Sequence, residues 1–519
     1  MSSDNEDIAS QQPLLASQRL ADHASDASPE PEIRGTFTRN LGAVEAFGIV
    51  VSIVIGSGVF TSPGSIDTNV PSPGIALAIW LIGGILAWTG ATTFAELGTA
   101  IPGEGKTKIT VPYLQHIYGD IWGFLAAWTW VVAVMPATLA ILSIVFVEVA
   151  YSAAGVINED NRLEHKLLAV LVLIIVSVAN SISTKASTRL NGFFVVLKFF
   201  SILVVVMAAL AVVGVHTTHP DKEVGGGDWF KKSWFEYRDT YNPNGPDTDW
   251  SKLSQWELLG HYSAALYAAL WAYSGWDKQA IYVTAELSQP AKQLPLAINT
   301  SIPTAIICFL AANAGYYVLL PWNVVSTTDS VAVTAMTRLL GRGFGIFTAL
   351  LICLVVAGSL LGNSFVASRM CVAAARKSWI PSLFTIVGRV GVKPDAEETS
   401  EEPPEEAGDA PINAVILSVI LATLYILFGS FRALLTLNGL GEYSFFFLAV
   451  LGAIILRYRE PDLERPYKTF SINPIMFVLV SGFVVIRGAI FAPIQAIVII
   501  VVWILGVVFY KARQYWARR

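Results

Sequence analysis

Ile55-Gly56-Ser57-Gly58-Val59-Phe60 and Trp271-Ala272-Tyr273-Ser274-Gly275-Trp276 each interrupt a hydrophobic run long enough to cross a bilayer, one in each half of the chain. A continuous spanning helix satisfies its own amides and carbonyls, so backbone freed at membrane depth is tolerated only where it is buried in protein or lines a cavity. A matched pair of such breaks, in corresponding positions of two halves, points to the binding site of a transporter. The competing reading of Gly-Ser-Gly is a small-residue notch for helix packing, which membrane helices use often.

The rest of the chain agrees with a membrane setting. Of 519 residues, 54% are hydrophobic and 14% charged, against about 25% charged in soluble domains. The mean hydropathy is +0.57. A span needs roughly 20 apolar residues to cross a ~30 Å core. About twelve candidates are present, near Leu41–Phe60, Ile75–Leu97, Ile121–Tyr151, Leu167–Ser183, Phe193–Val215, Leu258–Ala285, Leu296–Leu320, Phe344–Ala374, Ile412–Phe428, Ala433–Leu456, Ile472–Ile490 and Pro493–Tyr510. The expectation is an all-α integral membrane protein in which spans 1–5 and 6–10, each headed by a Gly-broken helix, form two inverted five-helix repeats followed by two extra spans.

Basic residues near span ends are retained in the cytoplasm. Arg34, Arg39, Lys106, Lys108, Lys185, Arg189, Arg376, Lys377, Arg457, Arg459, Arg465 and Lys468 all fall on one predicted side, as do Lys511, Arg513, Arg518 and Arg519. Both termini are therefore expected in the cytoplasm. Residues 1–40 read as a disordered tail without a signal-peptide core, 41–511 as the transporter domain and 512–519 as a short tail. The outer loop 215–257 reads as a partly structured lid or as surface elaboration, and the acidic inner loop 390–411 as a disordered linker or a regulatory dock. The plasma membrane is the expected residence. A vacuolar or lysosomal membrane stands behind it, because Gln12-Pro13-Leu14-Leu15 is a weak dileucine-like signal.

No Walker-type phosphate loop, His/Cys metal spacing or nucleophile elbow is present, so no enzymatic activity, cofactor or metal is expected, and no nucleic-acid partner. Transport must draw on solute or ion gradients. Cys308, Cys353 and Cys371 all fall in or at the end of spans, so no disulfide framework is expected.

At the first break, a helix start carries unpaired N–H groups and roughly +0.5 of a charge. Gly56, Ser57 and Gly58 let a ligand approach, and the amides of Ser57, Gly58 and Val59 suit a carboxylate. Carbonyls freed near Trp271 and Ala272 suit a protonated amine. A zwitterionic α-amino acid satisfies both ends.

The motifs also resemble a family. Gly56-Ser57-Gly58-Val59-Phe60, Phe94-Ala95-Glu96-Leu97-Gly98 with Pro102-Gly103-Glu104-Gly105, and Ala272-Tyr273-Ser274-Gly275-Trp276-Asp277 are similar to those of L-type amino acid transporters of the amino acid–polyamine–organocation superfamily. Pro290 to Pro295 followed by Leu296-Ala297-Ile298, Ala374-Ala375-Arg376 with Ile380-Pro381, and Arg465-Pro466-Tyr467-Lys468 continue the likeness in order, from about Leu41 to Lys511. A fungal member is the expectation. The resemblance implies a leucine-transporter-like 5+5 fold with alternating access. It also places carboxylate binding on Gly56, Ser57 and Gly58 and a bulky gate on Trp271, where many relatives carry Phe. Ser274 stands where Gly is frequent and Asp277 where mammalian members have Asn, so side-chain selectivity is expected to differ.

Lys198 in span 5 and Glu442 in span 10 are the ionisable residues expected to serve coupling. Relatives place the ammonium of a span-5 lysine where sodium-coupled members hold a cation; the plain alternative for Lys198 is snorkelling to the interface. Glu442 is a candidate proton carrier or a structural carboxylate. Glu96 and Glu286, near inner span ends, are expected to anchor loops through ion pairs. Lys106 to Pro112 looks like a small insertion relative to the family.

The expected substrate is a neutral L-amino acid. Polyamine or cationic amino acid transport is the runner-up, with Asp277 or Glu442 holding the second amine, and an amino acid-sensing receptor is the alternative of a different class. Relatives often pair with a heavy chain through a cysteine between spans 3 and 4. Gly155 to Lys166 has none, so no disulfide-linked heavy chain is expected.

Overall fold

The computed structural model describes residues 47–48, 51, 54–101, 110–155, 162–182, 184–242, 246–277, 289–385 and 411–517. All belong to the second of two compact units, Arg39–Arg519. The amino-terminal tail, the Lys106 to Ile109 part of the insertion, Glu286 and most of the acidic loop lie outside the described residues.

The first break is followed by α1 (Gly58–Asp67), after which α2 (Pro73–Ala100), α3 (Thr110–Tyr118), α4 (Asp120–Ala153), α5 (Leu163–Ile182) and α6 (Thr184–Thr218) complete the first half. The second half comprises α7 (Gln255–Ala272), which ends in the second break, then α8 (Pro290–Leu319), α9 (Val331–Leu340), α10 (Arg342–Arg376), α11 (Ile412–Phe428) and α12 (Phe431–Arg459). Helices α13 (Ile472–Phe491) and α14 (Pro493–Ala517) follow. Among the described residues, nine helical stretches are long and apolar enough to span a membrane. Span 1 was expected to end at Phe60, yet α1 runs on to Asp67 because the break resets the helix and ten further residues continue it. Amphipathic α9 was not anticipated.

Helices in equivalent positions of the two halves pack on each other: α1 on α7, α2 on α8, α4 on α10, and α5 on α11. Only the fifth pair departs, α6 lying chiefly against α8 and α10. Such pairwise contact is what a two-fold-related five-plus-five repeat requires. Burial orders the helices by depth. The most apolar window of α4 is 89% buried, whereas that of α14 is 17% buried, so α4 is central and α14 turns most of its apolar surface to lipid.

Midway along α4, residues Trp130–Val134 form a π turn, which frees carbonyls from the regular ladder. Tyr425 Oη donates to Val132 O at 3.3 Å, and Asn438 Nδ2 donates to Val134 O at 2.9 Å and to Thr138 Oγ1 at 2.7 Å. Asn438 is 2% exposed. Replacing it with Leu removes both of these hydrogen bonds and leaves Val134 O with Thr138 Oγ1, which donates to it at 2.9 Å, at a cost of about 0.5–1.5 kcal/mol for each bond lost. The Asn438→Leu protein is accordingly expected to melt below wild type in detergent; an unchanged transition would show that the π turn needs no such partner.

Each end of the bundle is tied by a crossing segment. At the Gly74 end of α2, Gly74 N donates to Trp234 O at 2.7 Å, from the segment joining α6 and α7. At the other end of α2, Glu96 receives Arg457 Nε at 2.9 Å and Nη2 at 2.5 Å, and Thr469 N at 3.0 Å, from the turn joining α12 and α13. Glu96 thus pairs with Arg457 near the end of α12 and anchors the following turn through Thr469 N and an ion pair with Arg465 at 3.7 Å, as its position near a span end predicted. The 460–471 turn also carries Tyr467, whose hydroxyl accepts from Asn299 Nδ2 on α8 at 3.3 Å.

Candidate functional site

The two breaks meet. A Cβ on Gly58 would lie 2.5 Å from Ala272 Cα, 2.8 Å from Ala272 Cβ and 3.3 Å from Ala272 O. Only glycine tolerates that approach, so the first residue of α1 touches the last residue of α7. The positive end of one helix therefore faces the negative end of another inside the protein.

Around the first break, Gly56 N donates to Val54 O at 2.9 Å, and Phe60 N and Thr61 N both donate to Ser57 O, at 2.9 and 3.2 Å. Ser57 occupies the cap position but its side chain caps nothing. Among the described residues the amides of Gly58 and Val59 therefore have no backbone acceptor. Unpaired amides at a helix start are of the kind that can receive an anion. Ser57 is 2% exposed and Val59 is buried, so a ligand held there is shielded from bulk solvent.

At the second break, Tyr273 N donates to Ala269 O at 3.1 Å and Ser274 N turns back to Trp271 O at 3.0 Å, ending α7. Gly275 has φ of +108°, a conformation that L side chains rarely adopt, which allows the chain to leave the helix here. Among the described residues no amide bonds to Ala272 O. Half-buried Trp271 sets its ring edge-to-face with Phe431 at the start of α12, 6.3 Å between centroids.

Below the break, Ser274 Oγ donates to Glu442 Oε1 and Oε2 at 3.4 and 3.3 Å, tying α7 to α12. Glu442 is 1% exposed, and Asp277, three residues past Ser274, is fully buried. Two acidic side chains thus flank the break. Next to Asp277, Trp276 is enclosed by Phe446 at 4.9 Å, Phe94 at 5.2 Å and Phe477 at 5.9 Å, an aromatic plug drawn from α12, α2 and α13. Nothing in the local sequence marks Trp276 as more important than Trp271; its enclosure depends on three distant helices.

Lys198 is carried by a different helix from these residues. It is 3% exposed on α6, which begins at Thr184, well before the predicted span. Its side chain is packed within the protein, on a helix that lies against α8 and α10 and not chiefly against α1 or α7. The structure therefore brings together Gly58 with Ala272 and Ser274 with Glu442, and buries Lys198 on α6, which packs chiefly against α8 and α10.

A family model described as amino acid permease matches residues 41–511. The b(0,+)-type amino acid transporter 1 of Homo sapiens is 29% identical over 494 residues, covering 95% of this chain and 91% of that protein. The large neutral amino acids transporter small subunit 2 of Rattus norvegicus is 27% identical over 504 residues, 96% of this chain and 86% of its own length. The Homo sapiens form of the latter is 28% identical over 499 residues.

Proposed function

Because the chain belongs to the amino acid permease family, a family of transporters and not enzymes, we propose that it carries neutral L-amino acids across a membrane by alternating access. In this reading the α-carboxylate sits on the amides of Gly58 and Val59, at Gly56-Ser57-Gly58, and the α-ammonium on carbonyls near Trp271 and Ala272. The contact of Gly58 with Ala272 is the observation that carries it, since there an amide-rich helix start meets a carbonyl-rich helix end. A zwitterion matches both poles, whereas a simple amine or a simple acid matches one. The name of a relative, large neutral amino acids transporter, supports the neutral class.

In this reading Trp271, set against Phe431, gates the pocket, and the aromatic plug around Trp276 closes it on the other side. Lys198 serves coupling from α6, and Glu442, held by Ser274, carries or balances the proton. The plasma membrane is the proposed residence, with both termini cytoplasmic. Cys308, Cys353 and Cys371 lie on α8 and α10, so the transporter works without a disulfide-linked heavy chain.

A second reading has one specific support. The burial of both Asp277 and Glu442 beside the break suits a second positive charge on the ligand, as in cationic amino acids or polyamines. Uptake of externally supplied labelled leucine into proteoliposomes, with and without a pH gradient, separates the two. Methionine is expected to compete and Lys198→Ala to lower uptake at least about tenfold, the equivalent of 1.4 kcal/mol in the barrier. Displacement by lysine or spermidine but not by leucine or methionine would sink the neutral reading.

A further inference from the structure

The segment between α6 and α7 is bonded to the far end of α1. Arg238 donates through Nη2 to Asp67 Oδ1, at the last residue of α1, and through Nη1 to Trp322 O at 2.5 Å. Tyr317 Oη, on α8, donates to the same carboxylate oxygen at 2.5 Å. The Asp67 side chain is fully buried and that of Arg238 is 13% exposed. The backbone of Arg238 donates to Pro71 O at 3.0 Å, while Thr240 Oγ1 donates to Thr68 O at 3.2 Å. The segment therefore crosses from the end of α8, over the end of α1, to the start of α2.

A helix of ten residues is about 15 Å long and moves as a rod, so displacement at Asp67 is felt at Gly58. We propose that Arg238 is a positioning residue for transport: through Asp67 it straps α1 shut at this end of the bundle, and must release it whenever that end opens. This rests on the alternating-access reading above. A charged strap suits the task. In the closed state the pair is desolvated and held by Tyr317 and Trp322 O; water entering on opening solvates both charges, which offsets the lost attraction. Closure is thus specific without being irreversible, and weakening the pair shifts the population toward the open form.

The test uses the full chain with Ser62→Cys on α1 as a reporter, Ser62 being fully buried. An impermeant maleimide is supplied only at the end carrying Arg238, in oriented vesicles, and labelling of the chain without the added cysteine is subtracted. Arg238→Gln is expected to raise the labelling rate about tenfold, with Arg238→Lys restoring much of the wild-type rate. A folded Arg238→Gln protein that labels at the wild-type rate would overturn the strap. Should Arg238→Gln not fold, Tyr317→Phe keeps the ring packing and removes one hydrogen bond to Asp67; it is expected to label faster, and an unchanged rate there overturns the proposal. Labelling needs no transported substrate, so faster labelling alongside absent leucine uptake would refute the substrate reading and leave the strap standing.

Discussion

Replacing Gly58 with Val is expected to reduce labelled leucine uptake in proteoliposomes by about a hundredfold or more. The added Cβ would sit 2.5 Å from Ala272 Cα, whereas non-bonded carbons prefer about 3.5–4.0 Å. Backbone cannot rotate out of the way as a side-chain tip can, so α1 and α7 must separate by about 1 Å at the point proposed to hold both ligand ends. A misplacement of that size costs about 100-fold when it falls between reacting or binding partners. Ala at this position meets the same atoms and is expected to behave similarly. Gly362→Ala on α10 is the control, because nothing lies within 4 Å of the Cβ it would add. Near-normal uptake by Gly58→Val, with Gly362→Ala also normal, would show that the two breaks do not converge on the ligand.

The second large effect is on stability. Arg457→Ala is expected to cost about 3–5 kcal/mol, because it leaves the Glu96 carboxylate buried without the guanidinium that bonds both of its oxygens. Arg465 Nε, 3.7 Å from Glu96 Oε1, keeps an ion pair with it but is too far for a hydrogen bond, so the charge is only partly compensated and the loss falls at the low end of that range. The readout is the melting temperature and folded yield of the purified protein. Glu96→Gln combined with Arg457→Ala removes the stranded charge and is expected to recover a substantial part of the loss. A single variant melting within about 2 °C of wild type, the shift that roughly 1 kcal/mol produces in a sizeable domain, would contradict the assignment.

Much of the fold was legible from the chain. Apolar runs near the length of a bilayer locate spans because lipid offers backbone groups no partner, so each span must be a complete helix or be broken for a reason. The boundaries that slipped did so where a local rule was outweighed. Span 5 begins earlier than its apolar run because Thr184 to Asn191, polar in composition, continue the helix. Span 1 extends to Asp67 in spite of Pro63, because its second half is buried and ends on a carboxylate held by Arg238 and Tyr317. No periodicity announces that a charge at a span end has a partner 171 residues away.

The site divides in the same way. Gly56, Ser57, Gly58 and the Trp271 to Trp276 stretch could be chosen from sequence because glycine inside a span is a local signal of freed backbone. Glu442 and Lys198 could be chosen because charge within a span is costly. Sequence alone thus determined that the protein is a helical membrane bundle with two breaks, since both follow from what lipid demands of each segment separately. Only the tertiary structure decided that Gly58 touches Ala272, that Ser274 holds Glu442, that Trp276 is boxed by Phe94, Phe446 and Phe477, and that Arg238 reaches Asp67. Those contacts join residues far apart in the chain, and their energies depend on distance and burial, quantities that no single segment carries.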